Sequence, residues 1–161
     1  MKWLLSLFIL CPNLALADNK QCEVNPESAK YINLRHRLLD LCVYDQVHED
    51  KFGNQNLTTT AELCMELVSG SQGVTRNSLK RMILSGEYLD RVGGLLVETC
   101  TSGARIDHKT GEVTLGATGV LCVLVAKWTR PEVADPIRND LVDYIYEKRT
   151  SPSHPNTCMD E

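Results

Sequence analysis

Apolar residues recur at helical spacing over much of the chain. Tyr31, Leu34, Leu38 and Leu41 fall on one stripe, with Ile32, Leu39 and Cys42 beside it and Arg35, His36 and Arg37 opposite. Just ahead of them, Asn25-Pro26-Glu27 has the form of a helix start, a capping side chain followed by proline at the first helical position. Thr59 and Glu62 stand at capping-box separation before Leu63, Met65, Leu67 and Val68, which predicts a second short helix that Gly70 can end. After a turn over 70–73, Asn77 is placed to cap a third helix carrying Leu79, Met82, Ile83 and Leu84. Gly86 breaks that pattern before Tyr88, Leu89, Val92, Leu95 and Leu96 lead to Cys100. Asp135-Pro136 repeats the cap-and-proline start, and Ile137, Leu141, Val142 and Ile145 give the apolar face of a last helix.

Other stretches read differently. His48 to Leu57 is polar and contains Gly53 and Asn54, a loop or loose hairpin. Lys109-Thr110-Gly111 lies between Ile106 and the alternating Val113-Thr114-Leu115, which predicts a small β-hairpin. Val120 to Val125 is apolar on every side and therefore reads as buried, with helix and strand both open. From Thr150 the tail (150–161) is polar and contains prolines, with Cys158 placed to tie it down.

The amino terminus changes the compartment. Met1-Lys2 is positive, Trp3 to Leu10 is apolar, and Ala15-Leu16-Ala17 is a small-x-small site before Asp18, so residues 1–17 read as a cleaved signal peptide. The apolar run is interrupted at Pro12-Asn13, short of the roughly 20 residues that a membrane span needs. No later stretch is long and apolar enough either. The expectation is an exported chain, periplasmic or secreted, with no membrane span and one domain over 18–161.

Cleavage removes Cys11 and leaves Cys22, Cys42, Cys64, Cys100, Cys122 and Cys158, an even number suited to three disulfides. No two are close enough for the short clip of a zinc site. Their spacing is regular: Cys42, Cys100 and Cys158 are each 58 apart, and so are Cys64 and Cys122. The same offset joins Leu38 to Leu96, Gly53 to Gly111, Leu57 to Leu115, Leu63 to Leu121, Asn77 to Asp135 and Ile83 to Leu141. Residues about 30–87 and 88–145 thus read as two copies of one helical unit, a period longer than solenoid repeats use. By that analogy Val120 to Val125 becomes a buried helix. If the halves cross-link alike, either 42–64 and 100–122 pair, leaving 22–158, or 64–100 and 122–158 pair, leaving 22–42. Both stay open.

Charge and composition narrow the partners. Without Lys2 the chain has 16 basic against 21 acidic residues, a net charge of −5, so it offers no electrostatic footprint for nucleic acid or anionic lipid. Candidate chemistry is sparse. His48-Glu49-Asp50 and Asp107-His108 fall in the two matching loops, and a metal or acid–base site shared between them is the one enzymatic arrangement that the histidines offer. Neither loop has helical ligand spacing, and Lys51 or Lys109 interrupts a calcium pattern. Ser69-Gly70-Ser71 is no nucleophile elbow, and Gly93-Gly94 reads as a close helix contact. No catalytic, cofactor or metal residue is assigned. Asn56-Leu57-Thr58 is an N-glycosylation acceptor triplet.

Two resemblances are short. The helical, six-cysteine pattern invites comparison with saposin-like lipid-binding domains, but it lacks their close cysteine pairs. The leucines before Cys42 and the run Cys64-Met65-Glu66-Leu67-Val68-Ser69-Gly70 faintly resemble periplasmic immunity proteins. The resulting expectation is a mainly α, disulfide-stapled domain with a small β-hairpin, and a non-enzymatic binding protein of inhibitor, immunity or secreted effector type whose partner is another protein. The alternatives are a small secreted hydrolase with a site near His48 and His108, or a lipid carrier.

Overall fold

Ser28 has extended backbone and its side chain accepts a hydrogen bond from the Tyr31 amide, so the first helix, α1 (Ala29–Cys42), starts there. The structure, a computed structural model, describes residues 28–150. The signal-peptide segment, the Asn25-Pro26-Glu27 start, Cys22, His154, Cys158 and the tail beyond Thr150 lie outside the described residues. The protein is mainly helical, with small antiparallel hairpins. After α1 come the strands β1 (Val47–Glu49) and β2 (Gln55–Leu57), then α2 (Thr59–Gln72) and α3 (Arg76–Ser85). The same order follows again: α4 (Leu89–Thr101), β3 (Arg105–Ile106), β4 (Val113–Thr114), α5 (Ala117–Thr129) and α6 (Pro131–Thr150). Each hairpin is antiparallel, with Val47 opposite Leu57 in the first and Ile106 opposite Val113 in the second.

Several helix ends differ from the sequence reading by a residue or a few, and each has a local cause. Thr58, not Thr59, caps α2 by accepting from the Ala61 amide, and Glu62 is engaged with Arg76. Gly70 lies inside α2, which ends at Gly73 in the left-handed conformation (φ 66°). Thr75, not Asn77, caps α3 by accepting from the Ser78 amide. The last helix begins at Pro131, not at Asp135-Pro136, and Pro136 sits inside it. Proline is well suited to a first helical position, where its missing N–H has no partner to lose, and Pro131 takes that place.

The core is one cluster drawn from every helix. Leu34, Leu38 and Leu41 of α1, Leu79 of α3, Val97 of α4, and Ile137 and Leu141 of α6 are fully buried. Each such side chain contributes about 1.5–3 kcal/mol relative to an exposed one. The helix α1 packs on α4 and α6, and α2 packs on α5, so the two halves share their interior. At one meeting point, Gly93 of α4 admits a larger neighbour: a Cβ there would lie 2.7 Å from Cγ of Arg35 and 3.1 Å from a Leu39 methyl. Arg35 is therefore half-buried over the Tyr31 ring, not on a solvated far side as its place in the pattern suggested. Disulfides join Cys42 to Cys64 and Cys100 to Cys122, with Cα separations of 5.8 and 5.9 Å, the first of the two equivalent pairings. Each cross-links the first helix of a half to its second.

Candidate functional site

The loops that carry the histidines are tied up by their own carboxylates. Asp50 accepts hydrogen bonds from the Phe52 and Asn54 amides at 2.8 and 2.9 Å and from the Asn54 side chain at 3.0 Å. Those donors, the Asn54 side chain first, hold its carboxyl below the usual carboxylate range. Asp107 plays the same part in the second hairpin, accepting from the Lys109 amide at 2.8 Å. The second loop is one residue longer, so the residue matching Asp50 in role is Asp107, although the 58-residue offset points to His108. His48 lies on β1 opposite Asn56 and is exposed. His108 is exposed in the second loop. Among the described residues, no three of His, Cys, Asp and Glu converge as a metal-binding group. The Asn56 side chain donates to the Asn54 carbonyl at 3.3 Å and to Asp50 at 3.4 Å, within the first hairpin.

The feature that stands out instead is the outer face of α5. Two glycines bring this helix in close. A Cβ on Gly119 would lie 2.6 Å from the Cys100 carbonyl oxygen, and one on Gly116 would lie 2.1 Å from that of Ser102. With the backbones this near, Gly119, Cys122, Val125 and Ala126 turn inward and are buried. The opposite side is apolar too. Val120 is 46% exposed, Leu121 41% and Trp128 69%, with Leu124 half-buried between them. Positions 120, 121, 124 and 128 recur at helical spacing on one side of the helix. Lys127 is exposed at the edge of this stripe.

The helix α2 supplies an internal comparison. Its residues 58 positions earlier are Glu62, Leu63, Glu66 and Gly70. Glu62 and Glu66 both pair with Arg76, the latter at 3.2 Å, as expected of a solvated helix face. On α5 the same three polar or small positions hold Val120, Leu124 and Trp128. Contiguous exposed apolar side chains of this kind are often functional on soluble proteins.

The sequence reading placed Val120 to Val125 in the interior. It is a helix, as the repeat implied, but two of its residues face solvent. An all-apolar segment has no polar side from which to read orientation. The signal was available in the offset, since Glu62 and Glu66 of α2 show which side points outward.

Two small apolar pockets of about 10 Å³ each lie beside the disulfides, one lined by both disulfides with Leu41 and Thr99. No helix among the described residues is long and apolar enough to cross a membrane. No family model, curated protein or solved structure matches the chain.

Proposed function

We propose that this is an exported, disulfide-stapled binding protein that docks an apolar segment of another protein on the outer face of α5. The single observation that carries the reading is the exchange of Glu62, Glu66 and Gly70 on α2 for Val120, Leu124 and Trp128 on α5. The two helices stand in the same place in their halves, so the difference is not imposed by the fold. Trp128, largely exposed among aliphatic neighbours, is of a residue type enriched among those that dominate binding energy at interfaces. The partner has an apolar surface for the indole. This docking is the kind expected of a protein of inhibitor, immunity or secreted effector type.

Export rests on the pattern of residues 1–17 and on the two disulfides, which are typical of oxidising compartments. The recurrence of helix, hairpin, helix, helix supports an origin by duplication of one unit, with the second copy adapted for docking. The experiment is crosslinking and capture from the native compartment with the wild type, Trp128→Glu and Glu66→Gln. One partner held by the wild type and Glu66→Gln but lost by Trp128→Glu supports the proposal. Retention by Trp128→Glu overturns it. So does sedimentation showing that the face is used only between copies of this chain.

A further inference from the structure

A second site lies apart from α5. α6 runs to Thr150, whereas α3, its counterpart in the first half, ends at Ser85 and turns at Gly86. The extra turns of α6 stand beside the second hairpin and enclose an open groove of about 380 Å³. Its walls are Thr101, His108, Tyr144, Ile145, Lys148 and Arg149. The Thr101 hydroxyl is spent on the Val97 carbonyl at 2.8 Å, so the groove's donors are His108, Lys148 and Arg149; two of these are permanent cations, and no carboxylate lines the groove among the described residues. We propose that this groove binds a small oxyanion, a phosphate or carboxylate group.

One guanidinium N–H of Arg149 donates to the Ala104 carbonyl at 2.8 Å, which fixes the side chain against the start of the hairpin. A guanidinium has five N–H donors, so its remaining edge can serve a ligand. The Lys148 ammonium lies over the Tyr144 ring, 5.8 Å from its centroid. Neither cation has an ion-pair partner among the described residues, although the chain is acidic as a whole. The carbonyl end of α6 opposes an anion with about half a charge, and two full cations outweigh it. The positions 58 before Thr101, Lys148 and Arg149 are Val43, Asp90 and Arg91, so an acid stands in the first half where one of the two cations stands in the second.

The test is an amide NMR titration of the whole protein with inorganic phosphate and, separately, with citrate, at ionic strength held constant with chloride. A saturable response centred on Thr101, His108, Lys148 and Arg149 is expected with at least one of the two, and the arm that binds more tightly identifies the ligand class. Lys148→Gln is expected to weaken binding about tenfold, and Lys148→Gln with Arg149→Gln to abolish it. Should the double variant fail to fold, Lys148→Gln alone decides, because it leaves the bond to Ala104 intact. Trp128→Glu is expected to bind the anion unchanged, which separates this site from the docking face. Affinity unaltered by Lys148→Gln, or a response to neither anion, overturns the proposal.

Discussion

At the scale of single residues, two side chains show how the chain treats polar groups. Thr99 is fully buried, and its hydroxyl has no hydrogen-bond partner among the described residues. The position 58 earlier is Leu41, also buried, so nothing in the fold demands a hydroxyl there. Valine has nearly the same shape and leaves no unmet donor. Thr99→Val is therefore expected to stabilise the protein by about 1–2 kcal/mol in urea unfolding. A loss of stability would mean that the hydroxyl has a use. Asp50 is the reverse case, an exposed acid with several donors gathered on it. Its folded pKa is depressed, so its contribution is present when the group is ionised in both states and is lost as pH falls through the folded value. The stability gap between wild type and Asp50→Ala should thus be full at about pH 5 and above, and should close as the pH is lowered toward about 2. A gap independent of pH in this range contradicts that assignment.

At the scale of elements, glycine has opposite meanings on the paired helices α2 and α5. Gly119 faces the Cys100 carbonyl, a backbone atom that cannot swing aside, and Gly119→Ala is expected to cost about 2–3 kcal/mol through forced separation of α4 and α5. Gly70 lies in α2 with nothing within 4 Å of its would-be Cβ. There Gly70→Ala should stabilise by about 0.5–1 kcal/mol, from reduced backbone entropy in the unfolded chain. Thermal unfolding of the two variants checks both signs at once. Helix existence was legible because the stripe Leu34, Leu38 and Leu41 must be buried for the chain to fold at all. Helix ends were less legible. Thr58 and Thr59 are equally good caps by type, and which one caps depends on where the hairpin delivers the chain. Here the Thr58 amide donates to the Gln46 carbonyl at 2.9 Å, which fixes Thr58 as the last extended residue. Pro136 misled for a related reason: a proline one turn into a helix looks like a start when Pro131, the true start, lies in a segment with little periodicity.

At the scale of the whole molecule, the 58-residue offset was the most informative feature of the sequence, because it linked cysteines to turn glycines and core positions together. It narrowed the disulfides to two symmetric schemes, and the structure has the one in which each bond stays within a half. The charged groove was not legible, since its walls come from α4, the second hairpin and the end of α6, which periodicity does not connect. The disulfide arrangement has a thermodynamic consequence. Both bonds close loops of the same sequence separation, 22 residues, so loop entropy gives each about 3 kcal/mol through the unfolded state. Replacing Cys42 and Cys64 by alanine, or Cys100 and Cys122, should therefore lower stability by similar amounts in guanidinium unfolding under oxidising conditions. Removing both pairs should cost about 6 kcal/mol, comparable to the whole stability of an ordinary domain, and leave the chain marginally folded. Neither of these two bonds joins one half to the other, and among the described residues that work falls to the packing of α1 on α4 and α6 and of α2 on α5. Because those contacts form a single core, the intact protein and each single-disulfide variant should unfold in one transition. Two separated transitions would show that the halves are held independently, each by its own cross-link.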